Sequence, residues 1–138
     1  MNSSNKDHRV DYNLVPIGFV ESTIKDRMKA PSQGDEGGVD AWIRFDRNFR
    51  DGIDGMKEGD SIIVFTWFHQ SRRDVLKLHP RWDPRTPLTG VFSTRSPDRP
   101  NPIGMHPVTI IEIHEGRIKV GPLEAIDGTP VIDIKPEL

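Results

Sequence analysis

The 138-residue chain contains no cysteine. That absence excludes a disulfide scaffold, a thiolate zinc site and a cysteine nucleophile, and it agrees with a reducing compartment. No apolar run approaches the roughly 20 residues that a membrane-spanning helix requires. Met1–Tyr12 is polar and lacks the apolar segment of a secretory signal. None of the five histidines pairs as His-x-x-x-His, so no metal site is expected. A soluble cytoplasmic protein follows, with neither metal nor membrane as partner. A net charge of −2 also argues against a generally adhesive nucleic-acid binder.

Twelve prolines and twelve glycines stand out, spread between short apolar runs. This spacing suits short strands and ordered loops better than long helices. Met1–Asn13 reads as a tail and residues 14–138 as one domain. Leu14–Ser22 has strand composition. Thr23–Gly38 is a long polar loop, a length that usually signals function or disorder. Val39–Phe45 alternates as a half-buried strand does, and Ser61–Phe68 reads as a continuously buried one. Between them Asp46 can cap a short helix. Leu88–Thr94, His106–Ile113, Arg117–Leu123 and Val131–Ile134 complete the set, the middle pair joined as a hairpin at Glu115-Gly116. The predicted fold is all-β: a small closed barrel of about six or seven short strands, with long loops and room for one short helix.

Chemistry concentrates between Arg72 and Arg99, where seven lysines and arginines against three aspartates give a local net charge of +4. Such a segment can draw an anion to one place, or be a solvated loop. Within it, Arg95-Ser96-Pro97-Asp98-Arg99-Pro100-Asn101-Pro102-Ile103-Gly104 carries three prolines in six positions. They stiffen the backbone and disfavour helix, leaving little ordering entropy to lose on binding. Arg95, Ser96, Arg99 and Asn101 offer donors for a carboxylate, ribose or phosphate, and Asn101 can read an amide or adenine edge. Equally, the arginines of a stiff connector can bond to nearby carbonyls. Trp82, flanked by Arg81 and Arg85, is the better base-stacking candidate among the aromatics, because Trp67 and Phe68 fall in the buried strand.

The run Gly90–Gly104 closely resembles the signature of the TsaA-like methyltransferases, whose best-known members methylate N6-threonylcarbamoyladenosine in tRNA. Three other stretches resemble family motifs in the same order. They are Ile17–Val20 with Pro31-Ser32-Gln33, Phe65–His69, and Asp127–Pro136. The resemblance spans residues 14 to 136. It implies a dimeric β-barrel holding S-adenosyl-L-methionine near the subunit interface. The implied cofactor contacts are Pro31, Ser32, Gln33, His69, Gln70, Arg95, Met105, Glu124, Ala125, Ile126 and Asp127. In this scheme Arg95 takes the amino-acid carboxylate, and Glu124 or Asp127 takes the ribose diol. Phe68, Trp67 and Met105 give apolar cover. Arg99, Asn101 and Trp82 are the candidates for contact with the substrate, expected to be the anticodon loop of a tRNA.

Three departures from the family pattern are Ser32 for arginine, His106 for serine after Met105, and Glu137 for the closing tyrosine. The extra C-terminal domain of many bacterial members also has no counterpart here. Methyl transfer from a sulfonium is an in-line displacement needing no metal and no covalent enzyme intermediate, so positioning supplies much of the rate. The conjugated N6 must shed a proton, and His69 and Asp127 are the candidate bases. Their ordinary alternatives are a hydrogen-bonding residue at a strand end and a turn. Two further functions stay open. One is methyl transfer to a small molecule, favoured by Ser32 and the net charge. The other is a non-catalytic S-adenosyl-L-methionine-binding module.

Overall fold

In Val39–Phe45, Ala41, Ile43 and Phe45 are buried while Asp40 and Arg44 face water. Successive side chains of an extended chain point to opposite faces, so alternation in sequence becomes a sided strand. The computed structural model describes residues 10–26 and 38–138; Pro31, Ser32 and Gln33 lie outside the described residues. The strands are β1 (Gly18–Glu21), β2 (Val39–Phe45), β3 (Ser61–Trp67), β4 (Lys77–Leu78), β5 (Thr89–Gly90), β6 (Ile103–His114), β7 (Arg117–Leu123) and β8 (Pro130–Pro136).

Six of them close into an antiparallel barrel in the order β1-β2-β7-β6-β3-β8, while β4 and β5 form a separate two-stranded ribbon. Each barrel strand sends at least one aliphatic side chain inward: Val20, Ile43, Val64, Ile110, Ile118 and Val131 belong to one buried cluster. Full burial of such a side chain is worth about 1.5–3 kcal/mol. Closure also removes the unpaired edges that a flat sheet would expose. The hairpin between β6 and β7 turns at Gly116, whose φ of 76° is left-handed and suits glycine.

Several sequence expectations change, among them strand Leu14–Ser22, which shortens to Gly18–Glu21. The helix after Asp46 is a 3-10 helix over Arg47–Ile53, capped by the Asp46 carboxylate accepting from Asn48 N at 2.9 Å. Strand Leu88–Thr94 shrinks to Thr89–Gly90, and Val91–Ser93 is a 3-10 turn. There the Val91 carbonyl accepts from Thr94 N (3.0 Å), Thr94 Oγ1 (2.9 Å) and Arg99 Nη2 (2.7 Å), and the Val91 side chain is fully buried. Strand β6 begins three residues earlier than expected, so Gly104 and His106 continue its inward face alongside Val108 and Ile110.

The register fixes a functional geography. Thr66 pairs with Gly104 and Val131, Val39 with Leu123, and Glu21 with Trp42. Antiparallel pairing therefore brings the ends of β1, β3 and β7 and the starts of β2, β6 and β8 to one rim. Residues 68–102 and 124–129 emerge there. Two register shifts, between Val39 and Ala41 and between Phe65 and Thr66, lie close to this rim, where bulges re-aim side chains.

Candidate functional site

The inward face of β6 changes character toward the rim, from Val108 and Ile110 to His106 and Gly104. The His106 ring is buried, with Nε2 2.7 Å from Thr66 Oγ1 and Nδ1 bonded to Glu124 Oε1. An ionised carboxylate only accepts, so Nδ1 donates to Glu124 Oε1, while Nε2 shares a hydrogen bond with the Thr66 hydroxyl. Phe68 closes the cluster edge-to-face, its ring centroid 5.7 Å from that of His106. Gly104 makes the space: a Cβ there would overlap Thr66 Oγ1 and lie 2.5 Å from Phe68 Cζ and 2.6 Å from His106 Nε2. Hydroxyl, imidazole and carboxylate follow the order of a hydrolase triad. Thr66 is wholly buried, however, so no substrate reaches its oxygen.

The signature loop is knit from within. Arg99 donates through Nη1 to the carbonyls of Thr94 (3.0 Å) and Ser96 (2.9 Å), and through Nη2 to Val91. Arg99, expected to meet substrate, also holds the loop's own carbonyls through its two Nη atoms. The buried Asp98 accepts from Arg72 N at 2.9 Å. Arg73 straps the far side, donating to Pro100 O at 2.7 Å and Asn101 Oδ1 at 3.1 Å while lying 5.0 Å over the Trp67 ring. Asn101 therefore keeps its amide N–H groups for other partners. Arg95 points to solvent and, among the described residues, has no hydrogen-bond or ion-pair partner. It is the cation this loop leaves available.

Glu124, Ala125, Ile126 and Asp127 link β7 to β8 at the same rim. Ala125 and Ile126 are buried. Asp127 accepts from Ser22 N at 3.0 Å and ion-pairs with Lys25 Nζ at 3.0 Å. The Ser22 N–H, and after it Lys25, hold the Asp127 carboxyl below its usual range. A carboxylate stabilised in this way is a weaker base. His69 and Gln70 are exposed in the turn that follows β3. Met105 is on the outer face of β6, opposite Phe65, while Trp67 lies opposite Ile103. Met105 and Trp67 thus share the outer wall, and Phe68 covers the inner cluster.

Trp82 stands at the end of the β4–β5 ribbon, 61% exposed. Arg81 and Trp82 both have left-handed backbone, at φ 55° and 57°, which is costly for non-glycine residues. The local bonds that impose it run from Trp82 N to His79 O (2.9 Å), Asp83 N to Pro80 O (3.2 Å), and between His79 Nδ1 and Thr86 O (2.8 Å). Beside it Arg85 is ion-paired with Asp83 at 2.9 Å.

The described site residues thus lie in segments that leave the barrel at one rim: the turn after β3, the ribbon tip, the signature loop and the β7–β8 loop, with Met105 on the outer wall of β6. Reading the sequence missed Thr66, His106, Asp98 and Arg73. The polar residues Thr66 and His106 flanking Gly104 in adjoining strands were the available signal. Among the described residues no group of three or more histidine, aspartate or glutamate side chains is placed to hold a metal, and no helix is long and apolar enough to cross a membrane.

A family model described as the tRNA-methyltransferase O N-terminal domain matches residues 19–138. A relative from Methanocaldococcus jannaschii, named a probable S-adenosyl-L-methionine-binding protein, is 52% identical over 128 residues, 90% of each chain. One from Archaeoglobus fulgidus, named an S-adenosyl-L-methionine-binding protein, is 43% identical over 122 residues, covering 88% of this chain and 86% of its own. A crystal structure of TrmO from Pseudomonas aeruginosa superposes with a TM-score of 0.74 at 25% identity, covering 94% of this chain and 57% of that one. The chain therefore spans little more than half the length of that TrmO.

Proposed function

This chain belongs to the tRNA-methyltransferase O family, and on that premise we propose that it is an S-adenosyl-L-methionine-dependent methyltransferase acting on the N6 of threonylcarbamoyladenosine-37 in tRNA. Its residues 14–138 act as one domain, in the cytoplasm, as a homodimer. The observation that carries the reading is the rim: an internally bonded signature loop spends Arg99 on its own carbonyls and leaves Arg95 without a partner among the described residues, at the same end of the barrel as Glu124.

The residues present suit the cofactor. Glu124 Oε1 is taken by His106, while Oε2 has no partner among the described residues and can accept from ribose hydroxyls. Arg95 offers a fork for the amino-acid carboxylate. Half-buried Phe68 supplies apolar surface, with Pro31, Ser32, Gln33, Gln70, Met105, Ala125 and Ile126 assigned to the same site by the family resemblance. When bound, S-adenosyl-L-methionine supplies an electrophilic methyl group. The protein's part is to hold the acceptor in line and exclude water. Exposed His69, without a partner among the described residues, takes the N6 proton at an imidazole nitrogen. Asp127, tied to Ser22 and Lys25, orients its loop beside the cofactor.

Asn101 and the strained tip carrying Trp82 serve the anticodon loop, Trp82 by stacking on an unpaired base. The homodimer is supported by the outer wall, where Ile103 and Met105 are 43% and 42% exposed next to Phe65 and Trp67; an apolar strip of this kind marks an association surface. A non-catalytic binding module is the second reading, favoured by the relatives' names, which state binding alone.

Methyl transfer from labelled cofactor to purified tRNA, with and without the threonylcarbamoyl group, tests the proposal. Label entering only the modified tRNA is expected. Cofactor binding without transfer to either tRNA would leave the binding module. Binding to an anticodon stem-loop should weaken with salt as phosphate contacts are lost; a small-molecule enzyme would not bind it.

A further inference from the structure

Glu124 is a flexible side chain in a loop at a barrel mouth, where an unassisted carboxylate would sample several rotamers and lose entropy on binding a ligand. It does not stand alone. Its Oε1 is bonded to Nδ1 of a ring that is 2% exposed, and that ring is fixed at its other nitrogen by fully buried Thr66 and packed by Phe68. Gly104 admits the ring, since a Cβ at that position would lie 2.6 Å from Nε2. The Glu124 side chain keeps 12% of its surface, and Oε2 has no partner among the described residues.

We infer that His106 is a positioning residue that clamps Glu124 so that Oε2 presents a pre-set acceptor to the vicinal hydroxyls of the cofactor ribose. The imidazole touches neither cofactor nor acceptor base. It acts by removing rotamer freedom from the carboxylate, as an outer partner orients a ligating group. The Thr66 hydroxyl serves one step further out, by holding the ring. The inference rests on the cofactor reading above and assigns to His106 the diol selectivity of that site.

A ratio separates this role from simple structural support. Calorimetry gives the affinity for S-adenosylhomocysteine and for its counterpart lacking both ribose hydroxyls, in wild type and in His106 variants. A hydrogen bond to a charged group places the wild-type preference for the diol at about tenfold to a hundredfold. His106→Gln sets its amide toward Thr66 and leaves nothing facing Glu124, so the preference should fall to about one- to threefold. His106→Leu removes the donor without a polar group and should do the same if the glutamine variant does not fold. His106→Asn places an amide N–H where Nδ1 stood and should restore most of the preference. An unchanged preference in folded His106→Gln or His106→Leu, with both ligands weakened equally, would overturn the inference. A wild-type protein that binds both ligands equally would also overturn it while sparing the cofactor reading. A wild-type protein that binds neither would refute the cofactor reading itself.

Discussion

Replacing Gly104 by alanine adds one methyl group where the structure has least room for it. The new Cβ would overlap Thr66 Oγ1 and stand 2.5 Å from Phe68 Cζ and 2.6 Å from His106 Nε2, each well inside contact distance. All three atoms belong to buried or half-buried side chains packed on one another. Overpacking of this kind costs about 1–3 kcal/mol, and disturbing the buried Thr66–His106 bond adds about 1–3 kcal/mol. The terms overlap, so a loss of about 2–5 kcal/mol is expected, from a net stability on the order of 5–15 kcal/mol. At about 2 cal/mol/K per residue of unfolding entropy, this lowers Tm by roughly 7–17 °C. Gly128→Ala is the matched control. Gly128 has φ 84° and nothing within 4 Å of its ideal Cβ, so the control suffers backbone strain alone, about 1 kcal/mol. Thermal or urea unfolding of both variants measures the contrast. A Gly104→Ala protein no less stable than Gly128→Ala would refute the close-packed cluster.

Three other perturbations bear on the rim. Arg99→Lys keeps the charge but cannot fork to the carbonyls of Val91, Thr94 and Ser96 together; a loss of about 1.5–3 kcal/mol is expected, with faster amide exchange across residues 94–101. Trp82→Ala should change stability by less than about 0.5 kcal/mol while weakening anticodon stem-loop binding by about 1–3 kcal/mol, and leave cofactor affinity unchanged. The tie of Asp127 to Ser22 and Lys25 holds its folded pKa below the ordinary carboxyl value. It is therefore fully present above the unfolded pKa, near 3.9, and is lost as pH falls through the lower folded value. The protection factors of Ser22 and of the 124–129 loop, each taken against the intrinsic exchange rate at the same pH, should fall in that acid window in wild type and not in Asp127→Asn.

Legibility followed the range of the forces involved. Val39–Phe45 was readable to the residue because alternation is local and both faces of the strand obey it. The β6–β7 turn was equally plain, since Glu115-Gly116 supplies the left-handed glycine in place. The turn at Val91 was hidden because Arg99, eight residues later, captures the Val91 carbonyl. The start of β6 was obscured because Ile103 and Gly104 read as the end of the proline-bearing signature loop; Gly104 is there to admit the His106 ring. The signature loop announced a site, but its chemistry was divided by contacts absent from the sequence. Arg99 faces inward and Arg95 outward, and only the fold separates them.

Calorimetric titration of wild type beside Arg95→Ala tests most directly whether the rim binds S-adenosyl-L-methionine through Arg95. Arg95 has no internal partner among the described residues to lose, so the variant should melt with the wild type while binding the cofactor about tenfold to a hundredfold more weakly. Equal affinity in the two proteins would remove Arg95 from the site, and no binding by folded wild type would contradict the account as a whole.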